Sequence, residues 1–211
     1  MSRFFKKLLI PLLIALLALP TIALASQSKD DSDPLKPYTT CEMGGELKVK
    51  DITRRPKSAE KYREVTTDKG EERVSVVEGY RVMFGYKDVR YYFANVKIEQ
   101  SEAGNYAQDK EKVINQLKHY SSTKQATKIQ YTDKKVLNGF EHYGIDRDVI
   151  DVGGQVGIHV LFDNTKHLII TIYLLNQEKK KRRFNNVEEY YALKTDFLNR
   201  YTECLRGVAN R

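Results

Sequence analysis

The chain has 211 residues, with 36 Lys and Arg against 28 Asp and Glu and a formal net charge of +8. Residues 1–25 contain three basic residues and no acidic one, so the remainder carries +5. This modest charge excludes the strongly basic composition that is typical of nucleic-acid-binding proteins. The length fits one domain of ordinary size, large enough to bury its own core.

The first 25 residues have the three parts of a secretory signal peptide. Basic residues stand near the start, an apolar run follows over residues 8–19, and Ala-Leu-Ala at 23–25 is a small-x-small cleavage site. A membrane anchor needs about 20 apolar residues, whereas this run is interrupted by proline and is much shorter. The pattern predicts a secreted or periplasmic protein with no stable membrane span after processing.

The two cysteines are Cys41 and Cys204, 163 residues apart. Neither belongs to a CxxC motif or a histidine cluster, so redox and zinc chemistry are disfavoured. Outside the cytoplasm such thiols tend to form a disulfide, and the alternative is two free thiols. Residues 26–61 are predicted to be a polar, partly disordered N-terminal arm, and residues 62–211 a single α+β domain. A disulfide would tie the arm to the end of this domain.

Strand patterns begin after the arm. Alternating β-branched and aromatic residues predict strands over Arg73–Val77 and Tyr80–Tyr86, joined by a tight turn at Glu78–Gly79, and a further strand over Val89–Glu99. The spacing then becomes helical from Tyr106 to Tyr120, with Asn105 in a position to cap the helix.

Four strands follow this helix in quick succession and predict an antiparallel meander. Asn138–Gly139 is the strongest hairpin signal, and Gly153–Gly154 and residues 163–165 are the other two turns. The strand over residues 168–175 is apolar on both faces, which predicts a central position covered on both sides. Asn186 and Glu189 resemble a capping box at the start of a final amphipathic helix.

These elements predict an α+β fold. It consists of a single antiparallel sheet of about six to seven strands, with the meander in its C-terminal half and two helices covering it, in the manner of an α/β/α sandwich.

The order of elements and three segments, YYFANVKIEQS, LIITIYLLNQ and EEYYALKTDFLNRY, resemble PsbP-like domains over about Val74–Leu205. PsbP-like domains are exported α/β/α sandwiches, and one of them is an extrinsic subunit of photosystem II. The resemblance implies a non-enzymatic assembly or accessory protein that binds a larger complex. It places no site residue on this chain.

A histidine and an aspartate are the best candidates for acid–base chemistry. With a two-residue turn at Gly153–Gly154, His159 would lie opposite Asp148 on the neighbouring strand, close enough for a His–carboxylate contact. No nucleophile motif accompanies this pair, and neither calcium nor zinc ligand spacing occurs. The pair is therefore predicted to be structural, and no catalytic residue, metal or cofactor is assigned.

Five consecutive basic residues precede the final helix: Lys179, Lys180, Lys181, Arg182 and Arg183. Such a run is usually a solvated loop, but it can also contact an anionic surface or an acidic partner. We therefore expect a monomeric, non-catalytic binding or accessory domain that engages an envelope or extracellular protein or an anionic surface, and not nucleic acid. The alternatives are a small-molecule carrier with a pocket between sheet and helices, and a hydrolase that uses His159 and Asp148.

Overall fold

The computed structural model describes residues 33–41, 46–55, 61–87, 92–123, 129–147, 154–176, 184 and 186–209. Residues 34–211 form one compact unit. The strands are β1 Leu47–Arg54, β2 Tyr62–Thr67, β3 Gly70–Ser75, β4 Glu78–Tyr86, β5 Ala94–Gln100, β6 Gln130–Leu137, β7 Phe140–Asp146, β8 Gly154–Asp163 and β9 Leu168–Asn176. The helices are α1 Tyr106–Ser122, α2 Val187–Ala209 and a short 3-10 helix, Lys36–Thr39.

Seven strands form one antiparallel sheet in the order β1-β4-β5-β9-β8-β7-β6, and β2 and β3 form a separate hairpin. The predicted α+β fold is confirmed, including the C-terminal meander. The doubly apolar strand, β9, is central as predicted, because it lies between β5 and β8. Asn138 and Gly139 both have positive φ at the β6–β7 turn, as a type I′ hairpin requires.

The two helices pack on opposite faces of the sheet. On β7, Phe140 packs in the same core as α2, whereas Tyr143 and Ile145 pack with α1 and with the β2–β3 hairpin. Alternate residues of a strand point to opposite sides, so we call these sides the α2 face and the α1 face. The core of the α2 face is the larger one and includes Val82, Phe84, Val96, Ile98, Ile170, Ile172, Leu174, Tyr190, Phe197, Tyr201 and Leu205.

Part of the predicted N-terminal arm belongs to the folded sheet. The prediction of a partly disordered arm is therefore wrong for that part. β1 is an edge strand paired with β4, and Leu47 is buried in the core of the α2 face. The side chains of Lys48 and Lys50 alternate with Leu47 and Val49, and lysine is common on edge strands because it discourages pairing with another chain. These charges made a mostly exposed edge strand resemble an arm.

The turn predicted at Glu78–Gly79 is also wrong. Both residues belong to β4 and pair with Gln100 and Glu99 of β5. β3 pairs with β2 instead of β4. The local pattern identified the strands but could not identify their partners.

The predicted disulfide between Cys41 and Cys204 is present, with the two Cα atoms 5.8 Å apart. Cys41 is fully buried, together with Leu35 and Tyr38 around the 3-10 helix. The bond therefore holds this early segment against the last turns of α2. Within the described residues, neither α1 nor α2 is long and apolar enough to cross a membrane.

Candidate functional site

The β7–β8 pairing places His159 differently from the prediction. His159 pairs with Gly144, and the strands separate after Asp146, where the Arg147 N–H donates to the Val156 carbonyl. Gly154 is the first residue of β8 and not part of a two-residue turn. The predicted register is thus wrong by four residues, and Asp148 lies outside the described residues.

His159 instead contacts Asp146 in a buried polar cluster on the α2 face. His159 Nε2 lies 3.1 Å from Asp146 Oδ1, and His159 Nδ1 lies 3.0 Å from His142 Nε2. From α2, Tyr190 Oη donates to Asp146 Oδ1 at 2.7 Å and Lys194 Nζ donates to Asp146 Oδ2 at 2.6 Å. These contacts bind the sheet to the helix.

Two glycines leave the space that this polar cluster occupies. A Cβ atom on Gly144 would stand 2.3 Å from His159 Nδ1, and one on Gly157 would stand 2.5 Å from Tyr190 Oη. Real Cβ atoms do not approach other atoms this closely. The observed positions of the His159 and Tyr190 side chains therefore require glycine at 144 and 157.

Hydrogen bonds and neighbouring charge stabilise the Asp146 carboxylate inside the cluster. Burial raises the pKa of Asp146, but hydrogen bonding and charge from His159 and Lys194 outweigh burial and hold it below its usual range. Burial lowers the pKa of Lys194, which Asp146 partly offsets. Burial, with the neighbouring His159 and Lys194, lowers the pKa of His142 to about 3. His142 is therefore neutral at pH 7.

The cluster is closed to substrates. The exposed fractions are 0% for Tyr190, 1% for His159, 2% for Asp146, 4% for His142 and 9% for Lys194. A catalytic group must come within hydrogen-bond reach of its substrate, so this burial argues against a hydrolase built on His159. Lys194 was not foreseen, although a lysine within the apolar stripe of the final helix was a signal that a buried carboxylate would face it.

A second group of charged side chains lies on the α1 face and is open to solvent. A groove of about 250 Å³ lies where β1, β4 and β5 meet the β2–β3 hairpin. Arg81 and Lys97 alternate along their strands with core residues of the α2 face, so they point into this groove. Its cationic lining residues are Arg54, Arg55, Arg63, Arg81 and Lys97.

Specific contacts hold the groove cations in position. Arg63 Nε donates to Glu99 Oε2 at 2.7 Å, Arg55 Nη2 donates to the Tyr62 carbonyl at 2.6 Å, and Arg81 Nε donates to Asn95 Oδ1 at 3.0 Å. The Lys97 ammonium lies 5.4 Å from the centre of the Tyr173 ring. Arg81 has further N–H donors beyond the one that Asn95 accepts.

The groove is electrostatically unbalanced. Five cationic residues line it; Glu99, the one carboxylate among its described lining residues, is paired with Arg63, and Arg54 is paired with Glu78 beside the groove. Arg81 and Arg54 are exposed. Arginine forks bind phosphate, sulfate and carboxylate groups in two-bond geometry, so this groove can bind an anion from solvent. The predicted contact residues Lys179 to Arg183 lie outside the described residues.

No family model matches this sequence, and neither a curated protein nor a solved structure shows significant similarity to it. Within the described part of the chain, no three His, Cys, Asp or Glu side chains converge so as to hold a metal ion. The chemistry of the groove and of its surroundings therefore carries the functional assignment.

Proposed function

We propose that this chain is an exported, non-catalytic binding or accessory domain whose basic groove engages an anionic group of a partner in the cell envelope or outside the cell. The observation that carries the proposal is the groove itself, in which Arg81 and Lys97 accompany two paired arginines, Arg63 with Glu99 and Arg54 with Glu78. A recess with this excess of positive charge attracts anions and speeds their association.

Two features support export. Residues 1–25 have the composition of a signal peptide, and the Cys41–Cys204 disulfide is the kind of bond that persists in oxidising compartments. The order of elements resembles that of PsbP-like domains. Because those domains mostly assist larger complexes, the resemblance favours an accessory role.

The test compares two charge-neutralised variants. We expect the protein to bind pyrophosphate in calorimetry and to sediment with vesicles that contain phosphatidylglycerol, but not with purely zwitterionic vesicles. The double change Arg81→Gln and Lys97→Gln should weaken binding at least about tenfold, because two groove cations are lost. Lys69→Gln with Lys118→Gln is the matched control, since both side chains are exposed and lie away from the groove.

Two results would contradict the groove as the binding site. One is equal binding by the groove variant and the control variant. The other is a loss of binding only when Lys179 to Arg183 are neutralised, which would assign the contact to the basic run instead.

A further inference from the structure

The basic groove is next to a second recess on the α1 face. A cavity of about 320 Å³ lies between α1 and this face, and Gln155 and Tyr173 of the sheet are among its lining residues. Lys97 lines the groove, and its ammonium lies 5.4 Å from the centre of the Tyr173 ring. The two recesses therefore meet at this lysine–tyrosine contact.

The groove end of this surface brings together two cations that no carboxylate neutralises. Arg81 and Lys97 are directly opposite each other on β4 and β5 and share the α1 face. Among the described residues, Arg81 donates to the side-chain oxygen of Asn95, and neither cation is paired with a carboxylate. Like charges directly opposite one another on neighbouring strands are destabilising. An anion bound between the two side chains would remove this repulsion.

The other end of the surface has a third such cation, Arg147. Tyr143 and Ile145 pack on the α1 face, and alternation along the extended chain places Arg147 on that face as well. Arg147 is exposed and is the one charged residue among the described residues that line the cavity. No described carboxylate pairs with it. Its guanidinium is therefore open to an anion from solvent.

The strand register gives the separation of the two ends. Three strand spacings of about 4.8 Å, through β9 and β8, separate Lys97 on β5 from Tyr143 in the same row of β7. Arg147 is four residues beyond Tyr143, which adds roughly 13 Å along the strand. The diagonal between the backbone positions of Lys97 and Arg147 is thus roughly 20 Å. A single phosphate or carboxylate cannot contact both ends, whereas a chain can.

An aromatic ring and an amide lie between the two ends. Tyr173 pairs with Asn95, two residues before Lys97, so it lies on the diagonal towards Arg147. Gln155 of β8 pairs with a residue further along β9 and continues the same line. An amide both donates to and accepts from hydroxyl groups, and a tyrosine has an apolar ring with a polar tip. Charge, ring, amide and charge in this order match a sugar chain whose anionic groups are separated by uncharged rings.

Other anionic partners match this surface less well. A bilayer presents its headgroups in a plane, whereas these side chains line two recesses. An acidic peptide would gain most from a free strand edge, but β4, β5, β9, β8 and β7 are all inner strands of the sheet. Polyphosphate could pair with the cations but has no ring to pack on Tyr173.

Given the proposed anion-binding function of the groove, on which this inference rests, we propose that the partner is a linear acidic polysaccharide. A carboxylate of one sugar residue lies between Arg81 and Lys97, and a carboxylate further along the chain pairs with Arg147. A sugar ring between them packs on Tyr173. Contact at both ends raises the affinity, because binding at the first end holds the rest of the chain close to the second.

Oligomers of α-1,4-linked galacturonate test the length requirement. Calorimetry should show that the octamer binds at least about tenfold more tightly than the dimer, because only the octamer reaches both ends. The fully methyl-esterified octamer keeps the sugar chain but has no charge, and it should not bind saturably at millimolar concentration. The charged octamer should also displace pyrophosphate, since both occupy Arg81 and Lys97.

Two variants separate the far cation from the ring. Arg147→Gln should remove the advantage of the octamer over the dimer. Tyr173→Leu should weaken the octamer at least about threefold but leave the affinity for linear polyphosphate unchanged. Arg206→Gln is the matched charge control, because Arg206 is exposed on α2 and lines neither recess. Thermal unfolding of each variant verifies that the fold is retained.

Three results would overturn the polysaccharide as the partner while leaving the anion-binding groove in place. They are equal affinities for dimer and octamer in a protein that binds pyrophosphate, an undiminished octamer advantage in Arg147→Gln, and displacement of pyrophosphate by phosphatidylglycerol vesicles but not by the octamer. The last would assign the groove to lipid headgroups. If neither pyrophosphate nor the octamer binds, the proposed function itself is overturned as well.

Discussion

The most unusual residues of this protein are the histidines and the aspartate buried beneath α2. A fully closed cluster of Asp146, His142, His159, Lys194 and Tyr190 contributes no surface for a ligand. Its ion pair has well-made hydrogen bonds to both carboxylate oxygens, which is the condition under which a buried pair is tolerated. We infer that the cluster fixes how α2 sits on the sheet.

The buried neutral His142 should make stability depend on pH. Its pKa is about 3 in the folded protein and about 6.5 in an unfolded chain. Between these values the unfolded chain binds more protons, so stability is fully present above pH 6.5 and falls on acidification. His142→Gln retains hydrogen-bonding capacity without titrating. From pH 7 to 5, urea unfolding should show about 2 kcal/mol more loss in the native protein than in this variant.

Lys118→Gln serves as a control for the loss of one surface group, and its pH profile should follow that of the native protein. Parallel profiles for the native protein and His142→Gln would show that His142 is already protonated in the folded state, contrary to this assignment.

The sequence revealed this cluster only in part. Period-two alternation places His142 and Asp146 on one face of β7, and a histidine–carboxylate contact across β7 and β8 was predicted. The partner was wrong because the pairing depends on how many residues the connection after Asp146 contains, and Gly153–Gly154 suggested a shorter one. Tyr190 and Lys194 join the cluster through tertiary packing, which strand periodicity cannot encode.

Among the elements, the strands with the strongest apolar signals were placed best. β9 is apolar on both faces and is central, and the Asn138–Gly139 turn joins β6 to β7 as predicted. β1 was missed because six of its eight residues are exposed and four are charged. The β2–β3 hairpin was missed because the pairing of β3 with β2 and not β4 is decided by contacts with α1.

An asparagine precedes each of the two long helices, but only one of the two caps its helix through the side chain. Asn186 Oδ1 accepts from the Glu189 N–H at 2.7 Å at the start of α2, whereas Asn105 makes no side-chain cap bond at the start of α1. Asn186→Ala should therefore lower the free energy of unfolding by about 1 kcal/mol. Asn105→Ala is the matched control and should cost less than half of that. Urea unfolding at pH 7 gives both values, and equal losses would contradict the difference in capping.

At the scale of the whole molecule, the two faces of the sheet differ in their packing and in their access to solvent. The α2 face is closed, with an aromatic core and a satisfied ion pair. The α1 face has the basic groove and a cavity beneath α1. One cross-strand row runs from the groove to the cavity: Arg81 pairs with Lys97, Lys97 with Thr171 and Thr171 with Val160. This asymmetry places the candidate ligand contacts on a rigid central sheet, where neighbouring side chains are about 5 Å apart.

The disulfide is the feature that constrains the whole chain, because it closes a loop between residues 163 positions apart. The chain-entropy model gives about 5 kcal/mol for a loop of this size. Changing Cys41 and Cys204 together to Ala should lower the urea midpoint accordingly. It should also increase the m-value, since the unfolded chain becomes more expanded. Reductant should destabilise the native protein and leave the variant unchanged. If the variant and the oxidised protein unfold at the same midpoint, contacts around Leu35 and Tyr38 already hold the early segment on α2, and the bond adds no stability.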